Sequence, residues 1–438
     1  MPSYREIAAE LGRQQYFPNT SSLGHLSPKS LTLHMGQIGA DLIAGKNRTE
    51  QFARRRKEIG VIIHEITHWA DMVGTYWGRQ YLQKIFECHR IVPKIKTEGV
   101  EVKFWKFVDL HDEDRRFRLP EYYHTVDKSV GQYDKSSPWE MQFSSGLEFD
   151  PTGRMNPERP IIFFKFIDRS LQTVVVRQPL TAGALLETTA MHSEIETSAK
   201  AIAALPDGER QVEEAFWRRE LEGYSFDKEY TIYTAPAHTV GYYAQIDDLK
   251  KRYELAARVA YLCLNLTPNL FERLTPPAIM WPWRDRIAAL KARRNVAFAF
   301  AAICAHAGKL GQSDTTETWL QRGLAASRLP PEREILARAR RAIAEQKPQE
   351  VHSKIGATEK YLLDIGEIIF DHRIGNCVVD LDRAVEEGMP LPPMFNEREE
   401  LFLIQGSSFD MKKFDALAMY NAEWDLFKET RNFLTSCR

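Results

Sequence analysis

An α+β domain at the N-terminal end followed by a mainly α-helical region is the fold the sequence predicts, on three observations. Strand-like runs and long helix-periodic runs are interleaved through the first 205 residues, helix periodicity dominates after the break Leu205-Pro206-Asp207-Gly208, and no segment repeats. With 438 residues, 43% of them hydrophobic, the chain can build two or three ordinary cores. Lys plus Arg number 59 against 60 for Asp plus Glu, a formal charge of -1. No global field draws such a chain to nucleic acid or anionic lipid, so neither is an expected partner.

The elements follow in order. Ile7, Ala8 and Leu11 open a short amphipathic segment, and alternation from Ser30 to Met35 predicts a strand. Thr49 is an N-cap candidate for a helix running to Gly74, its buried face marked by Ile59, Ile62, Ile63, Ile66 and Val73, with Gly74 as the stop. A second helix is expected over Trp77 to Cys88. Val100 to Val108 and Pro160 to Ile167 read as strands flanking a polar stretch with Asp112-Glu113-Asp114-Arg115-Arg116, so residues 92–167 are expected to form a strand-rich insertion. Ile161 to Ile167 should turn at Asp168-Arg169-Ser170 into Leu171 to Val176, and a helix should run from Ala184 to about Ala204. Tyr230 to Tyr243 reads as extended. Leu249 to Leu266, Arg284 to Ala307, Thr315 to Ala326 and Glu332 to Gln346 carry helix periodicity and suggest a bundle. Lys347 to Gly356 resembles a linker, with helices beyond it near Lys360 to Phe370 and Met411 to Leu434. In chain order this gives segments 1–205, 206–346 and 347–438.

The five cysteines, Cys88, Cys263, Cys304, Cys377 and Cys437, are odd in number, scattered and never paired as C-x-x-C. Such spacing suits neither a disulfide framework nor a cysteine-rich zinc knuckle. Met1-Pro2-Ser3-Tyr4-Arg5-Glu6 turns polar at once, and no run of 18 apolar residues appears. A soluble, cytoplasmic protein is the expectation.

One constellation carries chemistry. His64-Glu65-Ile66-Thr67-His68 matches H-E-x-x-H, in which histidines four residues apart share one helical face and can reach one ion. Glu65 then stands beside the ion as a general base for its water. The run Val61-Ile62-Ile63 ahead of His64 is too hydrophobic for an exposed segment, and buried histidines need a partner.

The stretch from Val61 to His68 resembles the active-site helix of the zincin superfamily of zinc metallopeptidases. The resemblance covers about a dozen residues. It implies a mixed sheet packed on this helix, a bound Zn2+, and a third ligand from elsewhere. The metzincin pattern is excluded, since this chain has Asp71 and Gly74 where glycine and histidine would stand. Asp71 lies on nearly the stripe of His64, but three ligands on successive turns of one straight rod would have to bend around the ion. It reads as a residue behind the ligands or a helix-surface pairing. Gly183-Ala184-Leu185-Leu186-Glu187-Thr188-Thr189-Ala190 places a carboxylate early in a small, apolar helix, where a charge wants a counter-ion. Glu187 resembles in setting the third ligand of the gluzincins, with Glu194 and His192 as alternatives.

Other features are read more plainly. An oxyanion donor, often histidine or tyrosine, is sought in the aromatic stretch from Tyr230 to Tyr243, with His238 as the candidate. Arg54-Arg55-Arg56-Lys57 spreads around a helix and reads as a solvated face. His306, Cys304, Asp371 and His372 fit no metal spacing and read as packing or surface residues. The expected function is a zinc metallopeptidase with ligands His64, His68 and Glu187, the base Glu65, and a protein or peptide as substrate. The alternative is a non-catalytic helical interaction protein whose H-E-x-x-H is degenerate or structural; the intact Glu65 speaks against it, because a closed structural site needs no base.

Overall fold

A computed structural model describes residues 24–35, 52–92, 100–127, 139–150, 152–348, 353–375, 377–396 and 400–436. The expected N-terminal amphipathic segment and the Thr49 cap lie outside these. Among the described residues the structure is mixed α and β, mostly helical with two small sheets. It divides into two units, one holding residues 1–116, 196–198 and 340–438, the other 117–195 and 199–339.

In the first unit, β1 (His25–Ser27) pairs antiparallel with β2 (Thr32–Met35), the strand expected from alternation. Two distant strands complete the sheet: β2 runs parallel to β7 (Met394–Asn396), which pairs with β8 (Leu401–Phe402). Helix α1 (Phe52–Gly74) packs here, burying Ile62, Ile63, Ile66, Trp69, Ala70, Met72 and Val73. It stops at Gly74 because of what adjoins it. A Cβ on Gly74 would sit 2.8 Å from the Ile369 side chain, and the Thr75 hydroxyl accepts from the Gly78 amide to start α2 (Tyr76–Ile91). Ile369 belongs to α13 (Lys354–His372). The Arg79 guanidinium on α2, 1% exposed, donates to the carbonyls of Ile343, Leu362 and Leu363 and to the Gln346 side chain. That leaves few of its donors unmet.

The stretch expected as a strand at Val100 to Val108 is helical. Helix α3 spans Val100–Phe117 and takes in the acidic and basic run as well. Its charges lie three and four residues apart, and they pair across to α2: Lys84 with Asp109 and Glu113, Lys106 with Glu87, and the Tyr81 hydroxyl with Asp114. A helix spaces such groups correctly, whereas a strand would send alternate ones to opposite faces. The last helix of the unit, α15 (Ala416–Ser436), covers the expected C-terminal helix.

The second unit carries an antiparallel sheet in the order β3-β6-β5-β4. The strands are β3 (Thr125–Val126), β4 (Glu140–Phe149), β5 (Met155–Ile167) and β6 (Val174–Pro179). The expected hairpin is there: Phe166 opposes Val176, and the Asp168 carboxylate closes the turn by accepting from the Ser170 and Leu171 amides. Strand β4 was not anticipated. Helix α4 (Ala182–Ala203) matches the expected one, capped by the Thr181 hydroxyl, and α5 (Asp207–Ser225) follows after three residues. Part of α4, Glu196–Ser198, groups with the first unit.

The Tyr230 to Tyr243 stretch, expected as extended, is helix α6 (Thr231–Ala244). Its Thr, Tyr and Val residues favour strands in isolation, but the unbroken burial from Tyr233 to Gly241, on every side of the helix, decides the outcome. Helix α7 (Leu249–Leu264) packs on it. The expected single helix from Arg284 to Ala307 is two, Arg284–Ala292 and Val296–Ala307, because Arg294 turns left-handed (φ 52°) and Asn295 caps the second through the Phe298 amide. Thr316–Ala326 and Glu332–Ala344 are helical as expected. Cys88, Cys263, Cys304 and Cys377 are buried free thiols. Among the described residues, no helix is long and apolar enough to cross a membrane.

Each unit contains a histidine that burial holds near pKa 4, below its ordinary 6.5. His89 donates from Nε2 to the Lys29 carbonyl, and His238 from Nε2 to the Ser225 carbonyl. The unfolded chain protonates these rings first, so their contribution is complete above pH 6.5 and is lost as the pH falls toward 4. Between pH 7.5 and 5 each should remove about 2 kcal/mol of stability. Urea denaturation at the two pH values should show a lower midpoint at pH 5, and His89→Gln should flatten that dependence; an unchanged slope in the variant would exclude His89 as a source.

Candidate metal centre

On α1, His64 and His68 fall one turn apart, and their rings meet edge to face with centroids 4.7 Å apart. The two Nε2 atoms are 3.1 Å apart. Two nitrogens on one tetrahedral zinc would be separated by roughly 3.3–3.4 Å, given metal–nitrogen bonds of about 2.0–2.1 Å. His68 is 1% exposed, while His64 is half-buried.

Glu187 stands in the second turn of α4 and is also 1% exposed. The helix begins against Phe117, whose carbonyl would lie 2.4 Å from a Cβ on Gly183, and its first turns bury Ala184, Leu185, Leu186 and Ala190. Thr188, Thr189 and Ser193 turn their hydroxyls back to the carbonyls of Ala184, Leu186 and Thr189. Glu187 is the one acidic residue of these first turns.

Ligand atoms of His64, His68 and Glu187 all lie within 4.8 Å of one another, and among the described residues this is the one such group of three or more. Two imidazoles and a carboxylate make a donor set suited to a divalent transition metal, with room for a fourth ligand. Placing a carboxylate where almost no water reaches is costly unless a cation compensates it, and a metal would do so. The cluster could hold a metal ion.

The neighbouring candidates fall elsewhere. Asp71, expected behind the ligands or paired at the helix surface, is instead in a fully buried ion pair: its Oδ1 accepts from Arg373 Nη1 at 2.6 Å, with both side chains at 0% exposure. Arg373 also donates to the Cys377 carbonyl through Nε and Nη2. Glu194 and His192 lie outside the gathered triad. Glu65 is buried at 8% exposure, its Cγ 3.4 Å from where a Cβ of Gly24 would be.

His238 is not placed to donate to a substrate. It is enclosed by Trp139, Phe166 and Phe226, with Nε2 committed to Ser225. In the basic run, Arg54 pairs with Glu58 at the surface and Lys57 is exposed, but Arg56 is buried, so the face is only partly solvated. His306 donates to the Thr275 carbonyl, Asp371 accepts from Arg340 through both oxygens, and His372 contacts Glu387. Burial pushes the Cys304 thiol up, which keeps it unreactive. These are packing and surface roles, as expected.

One residue that the sequence reading passed over matters here: Arg373, the partner of Asp71. Nothing in the sequence links Asp71 to a residue 302 positions away. No protein-family model, curated protein or solved structure matches the chain.

Removing either partner of the Asp71–Arg373 pair strands a buried charge. Asp71→Asn should therefore cost about 3–5 kcal/mol, and the double variant Asp71→Asn/Arg373→Met should recover part of that loss. Urea denaturation of the single and double variants tests the coupling; additive losses would mean that the pair is not interacting.

Proposed function

We propose that the protein is a zinc-dependent hydrolase of peptide bonds, with a protein or peptide as substrate and a zincin-like, gluzincin-type centre. The observation that carries this reading is the approach of Glu187 to a histidine pair that belongs to an intact H-E-x-x-H sequence. His64, His68 and Glu187 hold the metal. When bound, zinc supplies a Lewis acid that lowers the pKa of a coordinated water toward ~7.

Glu65 has the proton-transfer role. It follows His64 directly, is largely shielded from bulk water, and carries a carboxylate able to take a proton from the attacking water and return it to the leaving amine. A site that only held the fold together would fill its coordination with protein ligands and would need no such group. Three protein ligands and an adjacent base favour hydrolysis over a structural role.

About one zinc per chain is expected by elemental analysis, with severe loss of affinity in His64→Ala, His68→Ala and Glu187→Ala. Glu65→Gln should retain the metal while turnover of casein falls on the order of 10²–10⁴-fold, because an amide neither accepts nor returns the proton. Full metal content in the histidine variants would refute the assignment of ligands. Unchanged turnover in Glu65→Gln would refute the assignment of the base.

A further inference from the structure

We infer that helix α5 pairs with the same helix of a second copy of this chain, antiparallel, with Val212 and Phe216 at the centre and Glu209 of each copy meeting Arg219 of the other. The helix is held to its own unit by one side. Leu221 and Ser225 are buried, the Ser225 carbonyl accepts from His238, and the Tyr224 ring stacks on Tyr230. Val212 precedes Leu221 by nine residues, which at about 100° of turn per residue puts the two on opposite sides of the helix. The far side carries a strip at steps of four and three residues: Val212, Phe216 and Arg219. Val212 is 54% exposed and Phe216 56%, and Glu209, Ala215 and Arg219 are exposed beside them. Large apolar side chains one turn apart on an open helix face are the anchors that a second helix buries.

The charges along the strip select the partner, since an acid precedes the apolar pair and a base follows it. About a two-fold axis level with Glu214, residues equally distant from the axis meet. Val212 and Phe216 stand two residues to either side of it, Glu209 and Arg219 five. The rotation therefore brings each apolar side chain to the other and each carboxylate to a guanidinium. The strip is complementary to itself, as an interface between identical copies requires. Parallel packing would instead set Glu209 against Glu209 and Arg219 against Arg219. The Arg219 guanidinium already lies 5.7 Å from the Phe216 ring centroid, at the end of the apolar strip where the incoming carboxylate arrives. From Glu209 to Arg219 the strip is about 15 Å long. A contact of that length belongs to the class below about 1,200 Å², so the association is weak and depends on concentration.

Sedimentation velocity of the full chain from roughly 1 to 200 µM tests the pairing. Wild type should pass from monomer to dimer over that range, and added salt should weaken the dimer because pairs at an interface rim are screened. Phe216→Ala, a change to an exposed side chain whose effect on the fold is checked by circular dichroism, should weaken it about 10-fold or more. Glu209→Arg and Arg219→Glu should each weaken it about 10-fold, since each sets like charges together twice. The double variant Glu209→Arg/Arg219→Glu restores opposite charges in the same register and should return the affinity to within about 3-fold of wild type. A wild-type chain that stays monomeric throughout overturns the inference. So does a dimer indifferent to Phe216→Ala, which would place the contact on another surface, or a double variant no tighter than the single ones, which would exclude this register. The metal reading stands apart from every one of these outcomes.

Discussion

Helix α1 can present two histidines to one point only because it is anchored where water does not reach, and the Asp71–Arg373 ion pair is the clearest expression of that anchoring. Both side chains are fully buried, and the guanidinium gives two further donors to the Cys377 carbonyl. A buried pair of this kind adds little net stability over apolar packing, yet it penalises any arrangement that separates its members. It thereby fixes the rotation of α1 relative to α13, which Gly74 and Gly366 allow to approach closely. His64 and His68 inherit their direction from that rotation.

Much of this was legible from residue order, and the gaps have identifiable causes. The α1 stripe of Ile62, Ile63 and Ile66 is a local signal, as is the hairpin at Asp168, because short-range periodicity and turn chemistry are written in neighbouring residues. Val100 to Val108 and Tyr230 to Tyr243 were misread because β-branched and aromatic residues prefer strands when nothing else acts. In the structure, charge pairs with α2 in one case and burial on every side of the helix in the other override that preference. Strand β4 was missed because its exposure pattern alternates only at its ends, where buried Met141 and Glu148 stand beside exposed Gln142 and Phe149, and Phe143 to Leu147 are all half-buried.

The candidate site divides along the same line. The histidines and Glu65 are adjacent in sequence, and their spacing alone suggested one face. Glu187 was singled out by a physical oddity, a carboxylate in a turn of small and apolar residues, and its ligand atom does gather with those of the histidines. Asp71 was set aside on helix geometry, and its partner Arg373 was invisible because pairing over three hundred residues leaves no local mark. His238 was chosen for its residue type; its aromatic enclosure is a property of the folded unit, to which Trp139, Phe166 and Phe226 contribute from separate elements.

The parallel pairing of β2 with β7 has a consequence for how the molecule is made. Leu33 finds its partner in Met394, so the sheet beneath the histidine-bearing helix cannot close until some 360 further residues have left the ribosome. The second unit, by contrast, is drawn from 117–195 and 199–339 and can be assembled while synthesis continues. During that interval the apolar face of α1 lacks α13 and waits exposed, at risk of association with other unfolded chains. The histidine-bearing helix is thus among the first parts of the described chain to be synthesised and among the last to be enclosed.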